Sequence, residues 1–95
     1  MDIQRRQING QGEFFINDEQ QEKIAHMSYI MDNATTMRID HTVVSEKLAG
    51  QGIGKKLVHA GVVFAQKHGY KIVPQCTYAL SVMQKTPEYA VVWKK

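Results

Sequence analysis

The stretch Ala49-Gly50-Gln51-Gly52-Ile53-Gly54-Lys55-Lys56-Leu57-Val58 decides the reading of this chain. Three glycines at alternate positions stand between a strand-like segment and an apolar run with helical spacing. A strand, a glycine turn and a helix start together leave several backbone N–H groups without partners around one concavity. The helix dipole adds partial positive charge there, so the place suits a phosphate or pyrophosphate. Glycine permits the φ > 0 turns and lets a ligand come close to the backbone. Taken alone, the stretch is equally compatible with an ordinary glycine turn entering an amphipathic helix.

Downstream, the spacing predicts a helix from Ile53 to His68. Ile53, Leu57, Ala60, Gly61 and Phe64 share one stripe, widened by Val58, Val62 and Ala65, and Lys55, Lys56, His59 and Lys67 leave a polar side. Gly69 supplies the stop. Lys71 to Pro74 reads as a short apolar strand, its proline pointing to an edge or a distorted end. Thr77 to Lys85 reads as a helix, and Thr86-Pro87-Glu88 opens a short last one. Upstream, Thr35 to Val44 is a strand, reached through a turn at Asp32-Asn33. Glu22 to Met31 alternates, with Ala25, Met27, Tyr29 and Met31 on one face, as a half-buried antiparallel strand does. Glu13 to Asn17 is a short strand ending in a hairpin turn at Asn17 to Gln20. Met1 to Ile8 is an extended or frayed segment, followed by a turn at Asn9 to Gly12. The order β-β-β-α-β-α predicts an α+β domain over residues 1–95, a mixed and mainly antiparallel sheet with helices packed on it. The strand after the crossover should lie parallel to the third.

Ninety-five residues, an apolar share of 43% and a net charge of +3 are ordinary for one small globular domain. The basic residues are scattered, with Arg5-Arg6, Lys55-Lys56 and Lys94-Lys95 as adjacent pairs. That pattern lacks the basic-aromatic face of a nucleic-acid module and argues against nucleic acid as a partner. No apolar run approaches a membrane span, and the start lacks a signal-peptide pattern. One cysteine, Cys76, excludes an internal disulfide and suits a reducing cytoplasm. His26, His41, His59 and His68 have no paired metal-ligand spacing, so no metal site is expected.

Two familiar phosphate loops fail on spacing. A P-loop needs G-x-x-x-x-G-K-[ST], but Ala49 holds its first position and Lys56 its hydroxyl position. A dinucleotide fingerprint needs G-x-G-x-x-G, and the third glycine here comes one position early. The stretch resembles instead the coenzyme A loop of the GNAT superfamily of N-acetyltransferases, [QR]-x-x-G-x-[GA], with Gly52 and Gly54 at its small positions. Ala49 stands where a Gln or Arg is usual, but that loop binds mostly through main-chain N–H groups. The chain further resembles a very small single-domain branch of about ninety residues, through Asp40-His41-Thr42, Gly50 to Lys55, Pro74-x-Cys76 and Pro87-Glu88-Tyr89, in order across residues 12 to 90.

The resemblance implies acetyl-CoA as the cofactor and transfer of its acetyl group to an amine. The strands ending at Val44 and near Cys76 should splay apart around the pantetheine arm. Val43 and Val44 should bind its amides through their main chains. The N–H groups of Gln51, Gly52, Ile53, Gly54, Lys55 and Lys56 should bind the pyrophosphate. His41 is the candidate base, histidine being the side chain type whose unperturbed charge change falls near neutrality, and Cys76 the candidate acyl acceptor or acid beside the thioester. Each has a plainer reading, as a sheet-face histidine and a small buried hydrophobe. Tyr78 and Tyr89 are further candidate acids. Larger GNAT enzymes wall the acceptor site with helices between their first two strands, whereas here Asn17 to Glu22 is only a turn. The acceptor side should therefore be open, which suits a protein amine or another bulky acceptor, or a wall from a second subunit; a monomer or weak homodimer is expected. The alternative is a non-catalytic acyl-CoA-binding or sensing protein.

Overall fold

The structure, a computed structural model, describes residues 2–94. Five strands lie side by side in chain order: β1 (Gln4–Ile8), β2 (Gln11–Asn17), β3 (Lys23–Asn33), β4 (Thr36–Val44) and β5 (Lys71–Pro74). The first three junctions are antiparallel and the last is parallel. Helix α1 (Ile53–His68) makes the crossover from β4 to β5, and helix α2 (Thr77–Lys85) follows β5. The α+β sheet expected from the sequence is therefore present, with the strand after the crossover parallel to the one before it.

Three local features differ from expectation. The part of the first segment that is described forms a full strand, β1, so four strands precede α1; Met1 lies outside the described residues. The residues of β1 are all exposed, so no apolar alternation marked the strand. Its arginines hold it instead: Arg5 lies 4.4 Å over the Phe64 ring and donates to the Tyr29 hydroxyl, while Arg6 donates to Glu13 at 2.6 Å. β3 continues to Asn33, whose side-chain oxygen accepts the Thr35 N–H, and the turn falls at Ala34-Thr35. The last helix is a 3-10 helix, Pro87–Val92, after which Trp93 bridges to Ile72 along the edge of β5.

One face of the sheet carries the core. Met27, Tyr29, Met37 and Ile39 are almost completely buried and share a cluster with Leu57, Val58, Val62 and Ala65 of α1 and Ala79 and Met83 of α2. Burying such side chains contributes about 1.5–3 kcal/mol each. Gly61 brings α1 close to the sheet, since a Cβ there would fall 2.9 Å from the Met27 methyl. The other face holds His26, Ser28 and Ile30, which help line a broad depression of 760 Å³. Phe15, also on that face, is flanked by Arg6 and Lys23, whose charges lie 5.4 and 5.5 Å from its ring centre. Helices and bare sheet thus occupy opposite sides.

Candidate functional site

The glycine stretch is held open from both ends. Upstream, the Ser45 hydroxyl caps a short 3-10 helix, Glu46–Leu48, and buried Leu48 anchors it. Gly50 and Gly52 then take the left-handed conformation, at φ 80° and 69°, which glycine adopts without strain. Gly52 is the N-cap of α1 and has no side chain to satisfy the first N–H groups. The helix's first turn therefore presents the N–H groups of Ile53, Gly54 and Lys55, with that of Gly52 beside them, and no acceptor meets them among the described residues. The expected run narrows at its ends. The Gln51 N–H is taken by the Leu48 carbonyl at 3.3 Å, and the Lys56 N–H makes the helical bond to the Gly52 carbonyl at 3.2 Å. The Lys55 and Lys56 side chains are exposed and add charge to the same end.

β4 and β5 do part. They pair only from Thr36↔Lys71 to Ile39↔Pro74, and the Cys76 N–H donates to the Ile39 carbonyl at 2.9 Å before the chain turns into α2. From Asp40 to Val44, β4 has β3 on one side and, among the described residues, no strand on the other. A bulge falls here, because Ser28 pairs with His41 and Tyr29 with Ile39, leaving Asp40 as the extra residue. Beyond it the Ser45 N–H donates to the Ile24 carbonyl, which sets the alternation of the ladder. His41 and Val43 turn their main-chain groups toward β3, and Thr42 and Val44 turn theirs into the gap. The main-chain pair available there is thus Thr42 and Val44, not Val43 and Val44: neighbouring residues of a strand turn their main-chain groups opposite ways, and the bulge decides which of them face the gap. Thr42, Val44, Leu48, Ile53 and Tyr78 line a cleft of 340 Å³ that runs from this gap to the glycines.

Cys76 is half-buried, the N-cap of α2, and lies beside Thr42 of the cleft lining. Its Sγ lies 3.5 Å from the Thr42 hydroxyl, close enough for the thiol to donate to it or the thiolate to accept from it. Burial pushes the thiol up. The Ala79 N–H, the Thr42 hydroxyl and the N–H groups of Tyr78 and Thr42 outweigh it and hold the thiol below its ordinary value.

His41 stands on the other side of β4. Its partner Ser28 belongs to the bare face, whereas Thr42 pairs with buried Met27. Cys76 and His41 consequently flank the strand without meeting. The His41 side chain is 74% exposed, with Nδ1 3.4 Å from Asp40 Oδ2, while Asp40 Oδ1 accepts from the Ser28 hydroxyl at 2.7 Å. Desolvation would raise the Asp40 carboxyl; Ser28, His41 and a backbone N–H outweigh it and keep the group below its usual range. Asp40 is therefore built into this corner.

Tyr78 packs over Gly54 in the first turn of α2 and borders the cleft. Tyr89 is turned away, its hydroxyl 3.0 Å from His59 Nδ1; burial, then the Glu88 charge, raises its phenol above the ordinary value. No helix among the described residues is long and apolar enough to cross a membrane.

Comparison with known proteins gives a consistent answer. The family model of the GCN5-related N-acetyl-transferases matches residues 13–92. A GCN5-like protein from Staphylococcus aureus, solved by NMR, superposes with a TM-score of 0.75 at 33% identity, over 96% of this chain and 87% of that one. An IAA acetyltransferase from Bacillus cereus gives 0.59 at 25% identity, over 80% of this chain and 53% of its own. A GNAT family N-acetyltransferase from Escherichia coli, solved in complex with CoA, gives 0.57 at 19% identity, over 64% of this chain and 37% of its own. A search of curated proteins finds no match. With the family model spanning most of its length, the chain belongs to the GCN5-related N-acetyltransferase family, for which acetyl-CoA is the expected cofactor.

Proposed function

We propose that this chain moves the acetyl group of acetyl-CoA to an amine, with a bulky acceptor such as a protein amine favoured by the bare sheet face. The observation that carries the proposal is the row of free N–H groups from Gly52 to Lys55 on a cleft whose lining includes Thr42, the contact of Cys76 beside the β4–β5 gap. The residues present fit the coenzyme. Donors without acceptors at a helix start suit its phosphates. A Cβ at Gly50 or Gly52 would meet nothing within 4 Å, so the loop is open to a ligand from outside. The exposed main chain of Thr42 and Val44 suits an amide-bearing arm.

Bound there, acetyl-CoA supplies an activated acetyl thioester. Thr42 N–H is the gap-facing donor nearest Cys76 and would hold developing negative charge on an oxygen. His41 would take a proton from the amine on the bare face. Cys76 Sγ, with its thiol held low, serves as acyl acceptor or as proton donor at the same place. Full activity in Cys76→Ser would remove both of its roles, and unchanged turnover in His41→Ala would remove the base.

The deciding experiment is calorimetric titration with acetyl-CoA, comparing the native chain with Lys55→Glu/Lys56→Glu. Both side chains are exposed, so the fold is spared while the loop's charge is reversed. We expect binding that weakens by about tenfold or more, equivalent to about 1.4 kcal/mol. A native chain that does not bind acetyl-CoA would overturn the reading. One observation favours a second reading, a non-catalytic acyl-CoA sensor: no helix among the described residues covers the face on which an acceptor would sit. Tight binding with no acetyl loss to any amine or protein would establish it.

A further inference from the structure

We infer that Asp40, braced by Ser28, is a positioning residue that holds His41 in the tautomer with its proton on Nδ1 and so leaves Nε2 free to accept. The inference rests on the reading of His41 as the base, and concerns a residue to which the loop and cleft assign nothing.

Three features bring the groups together. The bulge at Asp40 breaks the strict alternation of β4, so Asp40 and the next residue, His41, reach each other on one side of the strand. The register puts Ser28 directly opposite His41, close enough to grip the carboxylate from the neighbouring strand at 2.7 Å. With one oxygen occupied by Ser28, the other lies 3.4 Å from His41 Nδ1. An N–H at Nδ1 can donate to that carboxylate; a bare Nδ1 would set its lone pair against the negative charge. The other titratable groups nearby are engaged or offset. His26 on β3 pairs with Val43, two residues along, and Arg38 on β4 donates to Asp32 at 2.9 and 3.0 Å. Asp40 is therefore the charge that decides the tautomer.

For the reaction, the proton that leaves the amine forms a new bond to His41 Nε2, and exposure lets His41 pass it on to water. The pair is too exposed for ion-pair strength to be its main effect, since solvent screens it. Its effect is on which nitrogen is available.

The test has one spectroscopic arm and one kinetic arm. Long-range proton–nitrogen NMR on imidazole-labelled protein, well above neutrality, reads the His41 tautomer in the native chain, Asp40→Asn and Ser28→Ala. We expect Nδ1–H in the native chain, the Nε2–H form of free imidazole in Asp40→Asn, a mixture in Ser28→Ala, and restoration in Asp40→Glu. Turnover in Asp40→Asn should fall about tenfold, part of the roughly hundredfold or more that a positioned base contributes. An unchanged tautomer in Asp40→Asn overturns the inference, whatever the turnover. A rise in KM with tautomer and kcat unchanged also overturns it, in favour of Asp40 binding the acceptor directly. Unchanged turnover in His41→Ala would instead sink the base assignment, and the tautomer would still decide whether Asp40 sets the ring.

Discussion

Tyr78 fills the space that a side chain at position 54 would take: a Cβ on Gly54 would lie 2.6 Å from the Tyr78 hydroxyl oxygen and 2.7 Å from two ring carbons. The contact with a neighbour in α2 is thus by itself a reason for glycine at this position. Tyr78 is 40% exposed and can swing outward. Gly54→Ala should therefore change stability by less than about 1 kcal/mol, since the helical gain of alanine offsets the displaced contact. The same substitution should weaken acetyl-CoA binding, because Tyr78 lines the cleft. Denaturant unfolding and calorimetry on one variant separate the two effects; unchanged affinity would show that Tyr78 has no part in the site.

The lowered thiol of Cys76 predicts a reactive cysteine. Alkylation by iodoacetamide proceeds through the thiolate, so its rate should rise and level off at a lower pH than for an unperturbed cysteine. Thr42→Val removes one of the donors that favours the thiolate, and should move the profile back toward higher pH. A profile unaltered in Thr42→Val would mean that the N–H groups of Tyr78, Ala79 and Thr42 are sufficient.

How much of this was written in the chain depends on what kind of contact each feature needs. The helix from Ile53 to His68 and its stop at Gly69 were legible because local spacing and one left-handed glycine define them. The glycine turn with open donors at the helix start was legible for the same reason. β1 was not, since its holding contacts reach Phe64, Tyr29 and Glu13 far along the chain, and its own residues show no buried face. The bulge at Asp40 was invisible too: nothing in Asp40-His41-Thr42 says that β3 skips a residue opposite it. That one skipped residue puts Thr42 and Val44 in the gap in place of His41 and Val43, and brings Asp40 onto the same face as His41.

Glu13 offers a test of the bare face. Arg6 approaches it at 2.6 Å and Lys23 at 2.7 Å, flanking Phe15 as they do so. Desolvation would raise the Glu13 carboxyl, but Lys23 and Arg6 outweigh it and hold it below 4.5. A carboxylate depressed in the folded state stabilises fully above its unfolded value, and that contribution is lost as pH falls through the folded value. Glu13→Gln should accordingly cost about 1 kcal/mol at neutral pH, and the difference from the native chain should close below the ordinary carboxylate range. Thermal melts of the two proteins across that range check it; a gap that persists at low pH would show that the contribution of Glu13 is packing over Phe15, not charge.

The turn between β2 and β3 carries avoidable strain. Asp18 organises it, its side-chain oxygen accepting the N–H groups of Gln20 and Glu22 at 2.9 Å while its own N–H donates to the Glu22 carbonyl. Closing that ring forces Gln21 to φ 64°, a left-handed conformation that costs a side chain with a Cβ roughly 1–2 kcal/mol. Gln21 is exposed, and its N–H to the Asp18 carbonyl is a main-chain bond that any residue but proline can make. Gln21→Gly should relieve the strain, losing part of the gain to the freer unfolded chain, for a net stabilisation of about 0.5–1 kcal/mol. Gln21→Val, β-branched at a positive φ, should destabilise. Denaturant midpoints order the three proteins, and a glycine variant no more stable than the native chain would mean that the turn relaxes without it.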